Sequence, residues 1–485
     1  MSTFESIRPA RSLAWLAAMS AWCAVGCAPD VPSEAPPAFV EFEFDPAASP
    51  AKSFEPTSLV VNERTGLIDL SAAGIEVPAL DAANGCEGQS AMPVAQCEFY
   101  QYLETLDGFP TLATGTTPAS AALDLATVKL PHDLFIYDLQ RERAVSDVDV
   151  SFDASSGELQ FEARAGWDVG TSYLVGVRGY GHGVASTQGA PAVSSIIYAL
   201  LKSPGSLSCG ATRAEQVDVT CEAYGLLAGD ARFASLPAAA KHDAIAENLL
   251  QLEQLRTYYL GQSEHMPVDI WATLERSAEM PKDEVAIAWF FNTHSASVVE
   301  LNPARDLVPA IVSGSEIRLV VKGTLDPDSL RAFSLENPDG TVFLLDVDKL
   351  AQNVADPRAL PPFEPRYADG RIFLKTTDPG NSFIEGDTYA LLLTNELTDA
   401  QGAPIVASPL SVLLRTRGAL VDAEGVSQIS GFSAADAQLL EQGRSQFARL
   451  FDDPLIQSAT MSAGRPAGLS REQVAYLYGF AFVNP

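Results

Sequence analysis

The sequence predicts a mainly β protein with helical connectors, organised as two tandem antiparallel β-sandwich modules that are each followed by a helical segment. Three observations support this fold class. Apolar and polar residues alternate over short runs such as 158–165 and 317–325, which is the pattern of half-buried strands. Turn sequences such as NPDG at 337–340 separate these runs. The stretch at 185–202 is closely repeated at 398–415, which indicates an internal duplication.

The predicted elements follow the same order in both halves of the chain. Each half has several strands, one of them near Tyr173 or Tyr389, then the sequence QGAP, a further strand, a helix and a closing apolar segment. Asp399 to Gly402 predict a turn in which Gly402 has a positive φ. In the second half, alternation predicts strands over 317–325, 341–348, 371–378, 388–397 and 409–417.

Helical periodicity replaces the strand pattern in two segments, 235–262 and 433–453. Ser433 and Asp436 form a capping box at the start of the second segment. Both segments contain the sequence Leu-Glu-Gln-x-Arg. The shared motif extends the repeat beyond the strands, so we interpret each half as one copy of a module.

The spacing between the copies changes along the chain. Gln188 and Gln401 are 213 residues apart, whereas Leu252 and Leu440 are 188 residues apart. The first copy therefore has 25 extra residues between these anchors. The extra residues fall around 209–221, where we predict an insertion closed by its own disulfide.

Six segments result from this division. They are a lipoprotein signal peptide (1–26), a Pro/Ala-rich tether (27–55), a first sandwich (56–208), an insertion with a helical connector (209–282), a second sandwich (283–418) and a helical segment with a closing strand (419–485).

The N-terminus predicts export and lipid anchoring. Arg8 and Arg11 precede an apolar run at 13–26 that is too short to span a bilayer. The sequence AVGC, ending at Cys27, resembles a bacterial lipobox, whose cysteine is diacylated. Ala28 follows it, which by resemblance to enterobacterial sorting rules favours the outer membrane, on its periplasmic face or at the cell surface. Plain secretion and a membrane-spanning anchor are the less favoured alternatives.

Four cysteines beyond Cys27 agree with an exported protein. An even number of cysteines in this compartment predicts disulfides, and four allow three connectivities. The pairs Cys86–Cys97 and Cys209–Cys221 close the shortest loops, so we expect these two bonds.

The formal net charge of −31 argues against nucleic acid and against adsorption to anionic lipid. Both partners require clustered Lys and Arg. The acidic residues are scattered, which is typical of solvated surfaces. We therefore expect membrane contact only through lipid on Cys27.

Residues that carry chemistry do not form a known motif. None of the serines lies in a G-x-S-x-G elbow, and the sequence has no H-E-x-x-H, P-loop or complete G-x-G-x-x-G fingerprint. His182 is interpreted as a surface turn residue, and His242, Glu247 and Glu253 as a solvent-facing helix surface. We weighed calcium binding for Asp147, Asp149 and Asp153 and a ligand platform for five aromatic residues, and favoured an acidic edge strand and core packing. These aromatic residues are Trp167, Trp271, Trp289, Phe290 and Phe291.

Several motifs resemble known bacterial families. The stretches 56–70, 98–111, 170–184 and 188–195 are similar to the non-catalytic N-terminal region of extracellular virulence-factor lipases. TLDPDSL and GDTYALLLTNELTDAQGAPI, within 324–405, look like the SbsA-type Ig-like domains of surface lipoproteins. The resemblance implies an Ig-like fold for each module and transfers no catalytic residue.

We therefore expect a non-enzymatic, lipid-anchored cell-envelope protein that displays, spaces or binds a partner, which we expect to be an envelope protein or a polysaccharide. No catalytic residue, metal ligand or cofactor is predicted. The alternative is an accessory or remnant region of an extracellular lipase or esterase whose hydrolase domain is absent or on another chain.

Overall fold

The computed structural model describes most of the chain from Phe39 onward, and this part forms one unit. The described residues are 39–45, 52–62, 64–79, 86–88, 92–230, 233, 236–262, 268–300, 310–312, 316–352, 359–377, 383–430, 432–462 and 468–483. The predicted signal peptide, Cys27 and the first part of the tether lie outside these residues.

The fold is mainly β with helical connectors, as predicted. The strands are β1 (Val40–Phe42), β2 (Gly115–Pro118), β3 (Leu134–Asp138), β4 (Arg143–Ala144), β5 (Val148–Asp153), β6 (Glu158–Ala163), β7 (Ser172–Arg178), β8 (Ala192–Ser194), β9 (Val285–Asn292), β10 (Val298–Glu300), β11 (Ala310–Val312), β12 (Ile317–Lys322), β13 (Val342–Asp346), β14 (Phe363–Ala368), β15 (Arg371–Thr376), β16 (Thr388–Thr394) and β17 (Val474–Val483). The helices are α1 (Val94–Leu103), α2 (Ile196–Leu201), α3 (Glu222–Ala228), α4 (Ala238–Tyr259), α5 (Ile270–Ala278), α6 (Val347–Leu350), α7 (Pro409–Arg415), α8 (Ala434–Ala448) and α9 (Pro454–Ser462).

In each half of the chain two larger sheets surround one hydrophobic core, and the first half has an additional two-stranded sheet. In the first half the strand orders are β4-β3-β7-β9 and β2-β6-β5, and β1 pairs in parallel with β8. In the second half the orders are β11-β17-β16-β13 and β10-β12-β15-β14. Inward-facing residues of both sheets in a half belong to the same buried cluster. Strands with an alternating sequence, such as β12, bury one face, whereas strands that are apolar throughout, such as β9 and β13, bury both faces.

The strand register is the same in the two halves. Asp138 on β3 faces Tyr173 on β7, and Asp346 on β13 faces Tyr389 on β16. β7 and β16 each pair with the last strand of their half, and each pairing has a register shift at its final residue pair. We use this register to define equivalent residues of the two halves.

β9 lies in the first-half sheet and pairs with β7 along its length. The predicted domain boundary at 282/283 would instead place this strand in the second sandwich. The closing segment is separated from β7 by β8 and the helices α2 to α5, and sequence order alone does not show to which sheet it returns.

Part of the predicted tether is folded. Phe42, Phe44 and Phe54 are fully buried in the first core, and Phe44 and Phe54 stack with their ring centroids 5.1 Å apart. This corrects the assignment of residues 40–45 and 52–55 to an extended tether. The alternation in VEFEF carries the strand signal, but neighbouring prolines and alanines dominated the composition of the segment.

The segment 409–417 was predicted as a strand, and the structure corrects this. Residues Pro409–Arg415 form helix α7, which the hydroxyl of Ser408 caps by accepting the N–H of Ser411 at 3.3 Å. Proline suits the first turn of a helix because its missing N–H has no partner there. The run is apolar on all sides, so periodicity could not separate strand from helix.

The two longer helices agree with the sequence prediction. α4 occupies the segment 235–262, and α8 begins after Ser433, whose hydroxyl accepts the N–H of Asp436 at 3.1 Å. Within the described residues, no helix has both the length and the apolar character needed to cross a bilayer.

A segment of the first half packs on the second half. This segment, between β1 and β2, contains α1, and we call it the α1 segment (residues 56–108). The Tyr102 hydroxyl donates to the carbonyl of Ala407 at 2.6 Å. Ala95 is buried in one cluster with Leu413 of α7. The α1 segment therefore joins the two halves through both hydrogen bonds and apolar contacts.

Candidate functional site

Both predicted disulfides are present. Cys86 bonds to Cys97 on α1, and Cys209 bonds to Cys221, which immediately precedes α3. Each bond closes a short local loop of the kind that stabilises exported proteins. The second bond lies within the 25-residue insertion inferred from the spacing of the repeat.

The QGAP sequence forms the same turn in both halves. Gly402 has a φ of 82° and Gly189 a φ of 78°, as positions that favour glycine require. The Asp399 carboxylate accepts the N–H of Gln401 at 2.8 Å, and the Ser186 hydroxyl accepts the equivalent N–H of Gln188 at 3.3 Å. The repeated sequence thus performs a structural role.

The repeated stretch ends in a basic residue, Lys202 or Arg415, that binds the last strand of its half. Lys202 Nζ donates to the carbonyl of Val285, and Arg415 Nη1 donates to the carbonyl of Val474 at 2.6 Å. Both carbonyls lie at the register shift described above. Burial lowers the pKa of Lys202 to about 8 and that of Arg415 to about 10.

The Leu-Glu-Gln-x-Arg motif of α4 is an ion pair that holds the helix to the chain after α2. The Glu253 carboxylate accepts the N–H of Leu207 at 2.7 Å and binds Arg256, whose Nη1 donates to the carbonyl of Ser203 at 3.4 Å. Burial alone would raise the pKa of Glu253, but the hydrogen bonds from Arg256 and Leu207 lower it below its ordinary value. The sequence predicted a solvent-facing position for Glu253, and this prediction is wrong, because its side chain is only 18% exposed and binds Arg256 and the N–H of Leu207.

The motif of α8 makes the equivalent contacts in the second half. The Glu441 carboxylate accepts the N–H of Leu420 at 2.8 Å and binds Arg444. Arg444 Nη1 donates to the carbonyl of Thr416 at 3.3 Å. The conserved spacing of the motif within this chain thus has a structural cause that is the same in both copies.

The two histidines considered for chemistry have different environments. The His182 side chain is 62% exposed and lies 3.9 Å from Glu284, which confirms a surface turn residue. His242 is partly buried, and its Nε2 lies 3.2 Å from the carbonyl of Val217. Its ring packs against Tyr224, so it contacts the insertion rather than solvent alone.

The three aspartates considered for calcium are held by neighbouring side chains. Asp149 pairs with Arg164 at 2.7 Å, and Asp147 lies 3.5 Å from the same arginine. Asp153 accepts the N–H of Ser155 at 2.8 Å in the turn after β5. Within the described residues, no group of three or more acidic, histidine or cysteine side chains could hold a metal ion.

The five aromatic residues considered as a ligand platform are buried in the first core, which confirms the packing interpretation. The Trp289 indole N–H donates to the carbonyl of Pro56 at 3.0 Å, and that of Trp167 donates to Ala113 at 2.7 Å. Their burial leaves them no surface on which a ligand could stack.

A cavity of about 540 Å³ lies in the second half near α6, α8 and α9. Two of its three acidic residues, Asp348 and Asp453, already accept backbone hydrogen bonds. Asp348 accepts the N–H of Thr388 at 2.6 Å, and Asp453 accepts the N–H of Leu455 at 2.9 Å at the start of α9. These contacts assign the carboxylates to capping and turn roles.

A second cavity, of about 430 Å³, lies between α1 and the second half. We call it the arginine pocket because Arg415, Arg417 and Arg471 line it, together with Glu98 and Tyr102 of α1. Arg417 forms ion pairs with Glu98 at 3.2 Å and with Glu472, in the turn before β17, at 2.7 Å.

No sequence motif predicts the arginine pocket. Its residues come from three distant parts of the chain, so no local motif contains them. The one sequence feature that could indicate the pocket is its basic composition. Arg415, Arg417 and Arg471 belong to a chain that has only 31 basic residues but 62 acidic ones.

No protein-family model matches the chain, and no match was found among curated proteins. The resemblance to SbsA-type domains and to lipase N-terminal regions therefore depends on the motifs alone.

Proposed function

We propose that the protein is a non-enzymatic, lipid-anchored component of the bacterial envelope. In this proposal the two halves are tandem Ig-like modules that display a binding surface or hold it at a distance from the membrane. The proposal depends on the observation that equivalent residues make equivalent hydrogen bonds within each half. The residues that the chain repeats are used to cap helices, close turns and join helices to sheets, which is the requirement of a scaffold.

The environment of one tyrosine in each half supports an Ig-like assignment. The Tyr173 hydroxyl accepts the N–H of Asp168 at 3.0 Å, and the Tyr389 hydroxyl accepts the N–H of Ile384 at 2.8 Å. Each tyrosine lies near the start of a strand and binds backbone five residues upstream. This resembles the tyrosine corner of Ig-like sandwiches.

Export is supported by the two disulfides, because such bonds persist in oxidising compartments. Anchoring at Cys27 is a separate part of the proposal. Labelled palmitate should enter the wild-type protein and a Cys23→Ser variant, but not Cys27→Ser. The Cys23 variant is the matched control because it also removes a cysteine from the signal region. Incorporation into Cys27→Ser would contradict the anchoring.

The binding role can be tested by crosslinking the anchored protein in intact cells and isolating it from the envelope. We expect one envelope protein or polysaccharide to be recovered at a constant ratio. A denatured and reduced sample, or the Cys27→Ser protein mixed with the same extract, provides the control for adsorption. Recovery of the same material by the denatured chain would contradict specific binding.

The alternative role is as an accessory region of an extracellular lipase or esterase. The stretches 56–70 and 98–111, which resemble the N-terminal region of such enzymes, favour it. The purified protein should then have no esterase activity itself but should bind a separate hydrolase. Turnover of short-chain esters that a serine-directed inhibitor abolishes would contradict both proposals.

A further inference from the structure

The arginine pocket contains more positive charge than its carboxylates neutralise. Both Glu98 and Glu472 bind the same residue, Arg417, at 3.2 and 2.7 Å. Among the described residues, neither Arg415 nor Arg471 forms an ion pair within 4 Å with a carboxylate. Three arginines and two glutamates line the cavity, so its formal charge is +1. This is unusual for a chain whose net charge is −31.

The two unpaired guanidinium groups are held by backbone oxygens. Arg415 Nη1 donates to the carbonyls of Arg471 and Val474, both at 2.6 Å. Arg471 Nη1 donates to the carbonyls of Arg415 and Thr416 at 2.8 and 3.2 Å. The remaining nitrogen atoms of both side chains make no hydrogen bond to the described residues. The guanidinium groups are therefore fixed in position and retain donors for another group.

Burial makes this arrangement costly without an anion. It lowers the pKa of Arg415 to about 10, and it also lowers the pKa of Arg471, with Arg417 adding repulsion. A buried charge requires a partner or hydrogen bonds to offset its lost hydration. Two backbone carbonyls for each arginine, and for Arg471 also the Phe451 ring 4.6 Å from its guanidinium carbon, supply part of this compensation.

Aliphatic side chains form another part of the lining, which we call the aliphatic wall. It is formed by Ile405, Val406 and Val412 of the second half, next to the Tyr102 ring. Ile405 is almost completely buried, and Tyr102 is held by its hydrogen bond to Ala407. The cavity thus combines a cationic side with an apolar side, as sites for small amphipathic ligands do.

We propose that the arginine pocket binds a small aliphatic carboxylate, with the carboxylate on Arg415 and Arg471 and the chain against the aliphatic wall. A guanidinium group can bind a carboxylate through two parallel hydrogen bonds, which fixes its orientation. The single excess charge favours a monoanion over a phosphate dianion. This inference goes beyond the proposed function and requires neither export nor lipid anchoring.

The first half provides the design of the test. The residue equivalent to Arg415 is Lys202, which reaches the equivalent strand carbonyl with its Nζ. Lysine at 415 should therefore preserve the fold while removing the planar, bidentate donor. Lys282 precedes β9 as Arg471 precedes β17, so lysine is also expected to be tolerated at 471.

Isothermal titration of the full-length protein with hexanoate is the primary experiment. Hexanamide, which has the same chain without the charge, and inorganic phosphate are titrated in parallel. We expect hexanoate to bind, and both others to bind at least about tenfold more weakly, as expected for loss of a charge-assisted hydrogen bond. R415K and R471K should each weaken hexanoate binding by at least about tenfold. Lys202→Arg, the control variant in the first half, should bind as the wild type does.

Three results would overturn the proposal. They are the absence of hexanoate binding to a folded wild-type protein, equal binding of hexanamide, and unchanged binding by both arginine variants. Tighter binding of phosphate than of hexanoate would also overturn it, because an oxyanion site would then be present without use of the aliphatic wall. If either variant is unfolded by circular dichroism, Val406→Glu is the replacement, since Val406 is only partly buried and a carboxylate placed in the wall there should abolish hexanoate binding.

Discussion

Replacing Glu253 with glutamine tests the role of the motif that joins α4 to the chain after α2. The carboxylate binds Arg256 with two hydrogen bonds, at 2.7 and 3.0 Å, and accepts the N–H of Leu207 at 2.7 Å. The side chains of Arg256 and Glu253 are only 8% and 18% exposed. A Glu253→Gln variant leaves the arginine charge buried without a partner and places an amide N–H₂ among donors.

The expected cost follows from this burial. Removing one partner of a buried ion pair costs about 3–5 kcal/mol. The partial exposure of Glu253 allows water to compensate, so we expect a value near the lower limit, about 3 kcal/mol. This corresponds to an increase of about a hundredfold in the population of locally opened molecules.

Hydrogen exchange with mass spectrometry is the appropriate assay, because it resolves local opening in a chain with several cores. The peptide that contains Leu207 should exchange about a hundredfold faster in Glu253→Gln. Glu247→Gln, an exposed position on the same helix, should change exchange little. The equivalent variant Glu441→Gln should accelerate exchange at Leu420 by a similar factor, since its ion pair is similarly buried. Equal exchange in Glu253→Gln and Glu247→Gln would refute the reasoning.

Three further predictions concern other contacts. Lys202→Met should lower the unfolding midpoint, because the Val285 carbonyl loses its hydrogen bond from Nζ at a cost of about 1–3 kcal/mol and retains one from the Ser194 hydroxyl at 3.4 Å. Arginine at this position should be tolerated, and equal midpoints of Lys202→Met and the wild type in a thermal melt would contradict this prediction. Burial lowers the pKa of His294 below its ordinary value of 6.5, so the folded state binds the proton less tightly than the unfolded state and stability should fall as the pH drops below about 6.5. Denaturant titrations from about pH 7.5 to about pH 5.5 should show this slope in the wild type and a smaller one in His294→Gln; identical slopes would exclude the histidine as its source. Reduction of Cys209–Cys221 should increase hydrogen exchange in the insertion by removing a constraint worth about 3 kcal/mol, while exchange in the sheets stays unchanged; general acceleration would show that the bond supports the whole core.

The sequence predicted the strands best where one face is buried and the other is exposed. β12 alternates between buried and exposed residues, as its sequence IRLVVK does. α7 was predicted as a strand because most residues of PLSVLLR are apolar, and only Ser408 and Pro409 at its start indicate a helix. β1 was missed because its proline-rich flanks obscured a three-residue strand.

The candidate pocket could not be predicted from local sequence. Arg415, Arg417 and Arg471 come together only after α7 and the turn before β17 have packed, and Glu98 arrives on the α1 segment. The duplication also does not indicate the pocket. Lys202, the equivalent of Arg415 in the first half, binds a strand carbonyl, so the repeat predicts only this structural role for a basic residue at position 415. The arginine pocket forms through tertiary packing in the second half and through residues that differ between the two halves.

The order in which the chain supplies β7 and β9 has a consequence for biosynthesis. Until β9 pairs with it, β7 has apolar side chains and one edge without hydrogen-bonding partners from β9. The segment from α2 to α5 must be synthesised before β9. Contacts between distant residues slow folding, and open edges promote aggregation. The central sheet of each half is therefore completed only when the last strand of that half has been synthesised. Nascent chains that stop within the segment from α2 to α5 should be targets for chaperones and proteases.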